Sequence, residues 1–368
     1  MNLILFFTKG VSLYDWDKVG ILCREVKLYN RLINKNIKIS FITYGDKKDL
    51  LFKSRLNGIK IYCNRWGLPK KYYNRFIHLL HFNCLRKCDI IKTNQMEGSE
   101  IALRCAQYWN KPLISRMGYR WSEFERLKKT ENKINLQYKL NIEKKVIEGA
   151  KKVVVTTAEM AEKINKIHSK VSSKTIIIPN FVDTDYFKPD KSIEKDIDIL
   201  FVGRIDEQKN IYSLLEALKN LQLNATIIGT GPLQVSLINK YVKLKNKFVW
   251  KNNVSNSELP YYMNRSRLYI LPSYYEGHPK TLLEAMSCGL PVIGANSQGI
   301  NNIITHNSNG YLCETNSESI SSAIMELLGD RSLCNKLGQN AREFAVNNFS
   351  IDRIVDIELL VYKESIKQ

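Results

Sequence analysis

The chain has 368 residues, 44% apolar and 25% charged, with 56 Lys+Arg against 36 Asp+Glu and a formal net charge of +20. That length exceeds what one hydrophobic core usually serves and predicts two domains; the composition excludes a disordered chain, and no apolar run reaches the length of a membrane span. The charge is lopsided, because residues 1–180 carry 36 Lys+Arg and 15 Asp+Glu whereas residues 181–368 carry 20 and 21. A bias of genome composition would spread over both halves. The asymmetry therefore predicts that the first domain meets something anionic, such as a phospholipid surface, a lipid pyrophosphate or nucleic acid.

From the N-terminus, Met1-Asn-Leu-Ile-Leu-Phe-Phe lacks a basic leader and reads as a first strand. Residues 3–7 and 37–43 are strand-like and residues 19–33 have helical periodicity, which begins a parallel sheet. The turn Thr8-Lys-Gly10-Val-Ser12 closes the first strand, at the end where open α/β sheets place ligands. Residues 53–87 interleave nine Lys and Arg with Trp66, Tyr72, Tyr73, Phe76 and Phe82. Cations and rings at helical spacing are what an interfacial membrane helix needs; the plainer reading is a surface helix whose rings face the core, and the charge asymmetry favours the first. Further strands are expected at 89–93, 112–115, 152–156 and 175–179, separated by helical stretches. The eight cysteines show no paired zinc spacing; Cys84 and Cys88 are expected to share a buried helix face, and scattered thiols fit a reducing cytosol.

In the second half, residues 197–202 form a strand, with Arg204 just after it and Lys209 at the start of the next helix. That spacing lets a planar bidentate guanidinium and a compact ammonium approach one pyrophosphate from two directions. A lysine is otherwise poorly placed at the positive end of a helix. Residues 267–294 read as strand, loop, helix, strand, with Pro279 in the first helical turn and Gly289 as its left-handed stop. Glu276 and Glu284 flank that helix start, whose free N–H groups favour an anion. An unbroken helix would hold two glutamates eight apart about 12 Å from each other, against roughly 5 to 9.5 Å in glycosidases, which disfavours glycoside hydrolysis. The alternative is a pair of hydroxyl acceptors on either side of a diphosphate, the arrangement a nucleotide sugar would require.

Glu276-x7-Glu284 followed by Ala-Met-Ser-Cys-Gly-Leu-Pro-Val-Ile resembles the signature of family-4 retaining glycosyltransferases with the GT-B fold. Four more stretches agree in type and order: Pro179-Asn-Phe-Val-Asp183 to Phe187, Phe201-Val-Gly-Arg204-Ile-Asp-Glu-Gln-Lys209-Asn, Ile228-Gly-Thr-Gly231-Pro, and Asn252-Asn-Val254 to Leu259. The resemblance implies an α/β chain of two Rossmann-like domains facing each other across a cleft. An acceptor domain would occupy residues 1–180, a nucleotide-sugar domain 181–347, and a helix in 348–368 would return to the first domain. It implies that Arg204 and Lys209 neutralise the leaving diphosphate, Glu284 accepts from the ribose hydroxyls and Glu276 orients the donor sugar. Gly277, His278, Pro279, Lys280, Thr281 and Leu283 would line the donor, Gly229 and Gly231 would shape the cleft floor, and Trp250 to Val254 would border the base. Gly10 would approach the donor phosphates, although one glycine stands where the family usually has two. Many relatives carry a histidine where Ser115-Arg-Met-Gly-Tyr-Arg-Trp121 lies. Arg116 or Met117 takes that place here, so the histidine's role does not transfer, and Arg116, Met117 and Arg120 become candidates for acceptor or phosphate contact. Asp183-Thr-Asp185 has the form of a metal-binding Asp-x-Asp but falls in the family's hinge pattern, where capping and packing are expected.

The implied reaction moves a sugar from a nucleoside diphosphate sugar, of UDP or GDP type, to a hydroxyl of a lipid-linked or cell-surface glycan precursor. It retains anomeric configuration and needs no metal or cofactor. The expected setting is the cytoplasmic face of the inner membrane, with the basic first domain on anionic lipid and no specific nucleic acid. Two other readings are a catalytically silent sugar-nucleotide-binding or scaffold subunit, suggested by the missing histidine, and a nucleotide-sugar epimerase. The intact Arg204, Lys209, Glu276 and Glu284 oppose the first, and the Glu-x7-Glu helix opposes the second.

Overall fold

A computed structural model describes residues 1–126, 133–252 and 254–367, so Asn253 of the expected base-bordering segment lies outside the described residues. The chain divides into two compact units, Met1–Pro179 with the residues from Ile354 on, and Asn180–Arg353. Each is built on one parallel sheet with helices, the α/β architecture expected from alternating strand and helix patterns.

The first sheet holds β1 (Asn2–Phe6), β2 (Lys38–Asp46), β3 (Lys60–Asn64), β4 (Ile90–Thr93), β5 (Leu113–Met117), β6 (Lys152–Val155) and β7 (Thr175–Ile177), in the order β3-β2-β1-β4-β5-β6-β7. Leu3, Ile4, Leu5 and Phe6 are all buried, as a strand covered on both faces requires, and this explains its unbroken apolar run. The helix expected at 19–33 begins later, at Leu22–Asn34. The preceding residues form a separate short helix, Leu13–Lys18, whose start is set by a reciprocal Ser12–Asp15 capping box.

Residues 53–87 do not form one interfacial helix. They comprise the end of a 3₁₀ turn at Lys47–Arg55, the strand β3, and two helices, Lys70–Leu80 and Phe82–Lys87. Asn57-Gly58 and Gly67-Leu-Pro69 punctuate the stretch and prevent a continuous helix. Tyr73 faces the core, whereas Trp66, Tyr72, Phe76 and Phe82 stay exposed. Cys88 is buried and Cys84 half-buried.

His81, at the join of those two helices, is buried, and its Nε2 lies 2.9 Å from the Tyr73 hydroxyl, which also reaches the Thr43 carbonyl at 3.0 Å. Burial, with a smaller push from Arg65, lowers its pKa from 6.5 to about 4. The unfolded chain takes up this proton below pH 6.5 and the folded chain does not until about pH 4. Stability is therefore expected to fall as pH drops through that window, by up to about 3 kcal/mol. Urea midpoints between pH 7 and 4 should fall less steeply in His81→Gln than in the wild type; equal slopes would show that another group is responsible.

The C-terminal helix Ile351–Ile366 contributes to the first unit through a buried polar cluster. The Lys92 amine on β4 meets the Glu358 carboxylate and lies 3.0 Å from the Tyr362 hydroxyl. The Lys92 and Glu358 side chains are each 1% exposed. Burial pushes the Lys92 pKa down, and Glu358 opposes that shift.

The second sheet holds β8 (Ile197–Val202), β9 (Ala225–Ile228), β10 (Phe248–Lys251), β11 (Ser266–Leu271), β12 (Val292–Ala295) and β13 (Tyr311–Cys313), ordered β10-β9-β8-β11-β12-β13 with every pair parallel. Chain direction across the sheet reverses between β8 and β11. In open α/β sheets, ligands bind outside the carboxyl ends of the strands at such a switch point.

Candidate functional site

The loops leaving β8 and β11 meet at that switch point. After β8, Asp206 caps a 3₁₀ turn at Glu207–Lys209, its carboxylate accepting the Lys209 backbone N–H at 3.2 Å. Its other oxygen lies 3.0 Å from the Arg204 guanidinium, which leaves the Arg204 side chain 76% exposed. The next residue, Asn210, takes a left-handed φ of 52° and is buried, a conformation asparagine tolerates better than most residues. Its amide donates to the carbonyls of Pro272 and Thr315 at 3.1 and 2.8 Å. Gln208 donates its side-chain amide to the Tyr275 carbonyl at 2.8 Å, and its backbone carbonyl accepts the Tyr274 backbone N–H at 2.9 Å. These bonds tie the two loops together and bring the Lys209 amine 2.5 Å from a Glu276 carboxylate oxygen. Glu276 is only 8% exposed, so this ion pair is poorly screened.

Two glycines make the neighbouring wall possible. A Cβ on Gly229, whose φ is +142°, would lie 1.8 Å from the Gly203 carbonyl oxygen, and one on Gly231 would lie 2.2 Å from the Ile205 carbonyl oxygen. The loop after β9 thus packs against the backbone that leads into Arg204, and no larger residue fits there.

The helix after Glu276 spans Lys280–Ser287, with Pro279 as its N-cap; the cap stands one position before the expected first turn. Gly289, at φ +67°, stops it as expected. Glu284 sits on this helix, 2% exposed, accepting the Asn256 amide at 3.1 Å. The buried Tyr269 hydroxyl bonds Thr281 Oγ1 at 2.8 Å. Its pKa is raised by burial first and then by the charges of Glu276 and Glu284, so one buried phenol feels both carboxylates.

The expected residues do not all face the same way. Glu276 and Lys209 come together, and Gly229, Gly231, Thr281 and Glu284 belong to the same end of the second sheet. Gly277 and Lys280 adjoin them, and Lys280 lies 5.9 Å from the Phe181 ring. Leu283 is fully buried in the apolar core, and Val254 packs partly against it. The His278 ring lies edge-on to Phe349, 5.3 Å between centroids, while its carbonyl accepts the Asn180 amide at 2.6 Å. Leu283 and His278 therefore shape the loop from behind, because their side chains belong to the packing.

In the first unit, Met117 is fully buried in the core and has no exposed surface for the acceptor or phosphate contact expected of it. Arg116, on the opposite side of β5, acts electrostatically on Lys92 and Tyr362. Arg120 lies 3.9 Å from Glu143, with its side chain 11% exposed. Gly10 lines a cavity of about 630 Å³ inside the first unit, with Lys9 and Glu97 beside it.

Asp206, Gln208, Asn210 and Asn256 hold the charged groups in place and were not anticipated. Asp206 carried the one local signal, an N-cap residue before a turn; the amides act on carbonyl and carboxylate groups that are distant in sequence.

A model of glycosyl transferases group 1 matches residues 182–344 and a model of glycosyltransferase family 4 matches residues 26–186. An uncharacterised glycosyltransferase of Methanocaldococcus jannaschii is 31% identical over 212 residues, covering 54% of this chain and 56% of that protein. The UDP-Gal:alpha-D-GlcNAc-diphosphoundecaprenol alpha-1,3-galactosyltransferase of Escherichia coli is 32% identical over 208 residues, covering 50% and 52%. The chain thus spans about half the length of the curated relatives it matches. Among solved structures, Anabaena HepE in complex with UDP superposes with a TM-score of 0.79 over 99% of this chain and 100% of that one, at 16% identity, a likeness of fold.

Proposed function

The chain belongs to the family-4, group 1 glycosyltransferases, and from that premise we propose that it moves a sugar from a UDP-sugar to a hydroxyl of a lipid-linked glycan precursor, with retention of anomeric configuration. The observation that carries this reading is the Lys209–Glu276 pair at the β8/β11 switch point, 2.5 Å apart, with the exposed Arg204 held on the same loop by Asp206. Breaking a sugar–phosphate bond develops charge on the departing diphosphate, which fixed cations stabilise without reorganisation. Arg204 and Lys209 supply those cations, in the role a metal ion plays in other sugar transferases. Glu276 then accepts from a donor-sugar hydroxyl, and Glu284, held by Asn256, from the ribose.

UDP is favoured because HepE, which shares the fold, was solved with it. A lipid-linked acceptor is favoured because the Escherichia coli relative is named for one. The basic balance of residues 1–180 supports an anionic membrane as the place where that acceptor is met.

Mass-spectrometric screening of nucleotide sugars for donor hydrolysis identifies the donor. With it, Arg204→Ala and Glu284→Ala should each lower turnover about a hundredfold or more in protein that still folds. Undiminished turnover in both variants would overturn the assignment.

A further inference from the structure

Residues 50–88 contain nine Lys and Arg and no Asp or Glu. Within them, the Lys70–Leu80 helix turns Tyr73 and Ile77 to the core and leaves Tyr72, Phe76 and Leu79 exposed at 54%, 43% and 46%. Positions i, i+4 and i+7 fall on one helix face, so these three side chains form a continuous stripe. Phe82 and Trp66 are exposed nearby, at 46% and 42%, and the Arg65 guanidinium lies 4.8 Å from the Trp66 ring centroid. Lys71 and Arg75, both exposed, lie next to the stripe. A surface helix in water ordinarily puts polar residues on its outer face. Here the outer face carries an apolar stripe, and every charge within residues 50–88 is basic.

We propose that this face of the Lys70–Leu80 helix docks on an anionic phospholipid surface. Rings and a leucine beside cations match the headgroup boundary, where the apolar groups enter the acyl edge and the cations meet lipid phosphates. No helix among the described residues is long and apolar enough to cross a membrane, so attachment through this face lies along the surface. The inner side of the same helix faces the first unit's cavity of about 630 Å³, which Lys70, Tyr73 and Asn74 help to line together with Trp121. A docked helix stands between bilayer and cavity. That position suits an acceptor whose lipid stays in the membrane, and this last point rests on the transfer reading above.

The test is sedimentation of the full chain with vesicles of phosphatidylcholine alone and of phosphatidylcholine with phosphatidylglycerol. The wild type should pellet with the mixed vesicles and not with the neutral ones. Phe76→Ser/Leu79→Ser and, separately, Lys71→Glu/Arg75→Glu should each weaken that binding about tenfold or more, with unchanged melting because all four side chains are exposed. Equal recovery with both vesicle types, wild-type binding by both variants, or displacement of the chain from vesicles by a homopolymeric RNA would overturn the proposal. Donor hydrolysis is measured in parallel without vesicles, and the Phe76→Ser/Leu79→Ser variant should retain it. A wild type that binds vesicles but hydrolyses no nucleotide sugar would count against the donor assignment and leave the docking face standing.

Discussion

Replacing Lys209 by methionine should lower turnover with the donor sugar by about 10² to 10³, the cost of removing one preorganised charge from a developing oxyanion. The ammonium faces Glu276 at 2.5 Å in a site where that carboxylate is 8% exposed. The variant therefore loses more than the cation, because a nearly buried carboxylate is left without its partner, a desolvation penalty of about 1 to 3 kcal/mol. Activity and stability can be separated by a cycle. Lys209→Met/Glu276→Gln should recover most of the lost stability, since the uncompensated charge is gone, and none of the turnover, since the diphosphate still lacks its cation. Steady-state kinetics and urea unfolding on the four proteins read both effects. Wild-type turnover by Lys209→Met would show that Arg204 and the helix N-terminus suffice, and would remove the lysine from the mechanism.

The largest stability effect is expected at the other end of the chain. Lys92→Met or Glu358→Leu alone leaves one charge fully buried without its counter-ion and should destabilise the first unit by about 3 to 5 kcal/mol. The double variant should regain most of that loss, because two apolar side chains replace the pair without burying a lone charge. Hydrogen exchange of the β4 amides reports the first unit separately from the second, which matters where two units need not unfold together. Single variants as protected as the wild type would show that water or a rearranged Tyr362 satisfies the remaining charge.

Much of the fold was legible because the signals are local. Apolar runs such as Leu3-Ile-Leu-Phe6 read as strands, since a strand covered by helices on both faces has no polar side to show. Gly289 marked a helix end because its φ of +67° is costly for residues with a Cβ. Residues 53–87 were legible only in part: cations and rings recur at helical spacing there, but Asn57-Gly58 and Gly67-Leu-Pro69 cut the run into strand and helix.

By itself the sequence determined which charged groups the proposed site has to work with: Arg204 and Lys209 after one strand, Glu276 and Glu284 around the next helix start. Only the tertiary structure decided that Lys209 meets Glu276, that Asp206 and Asn256 hold Arg204 and Glu284, and that His278 and Leu283 turn away into the packing. Local order follows from backbone preference over a few neighbouring residues. Which polar atom satisfies which depends on strands from distant parts of the chain lying side by side, and on the requirement that every buried donor and acceptor there find a partner.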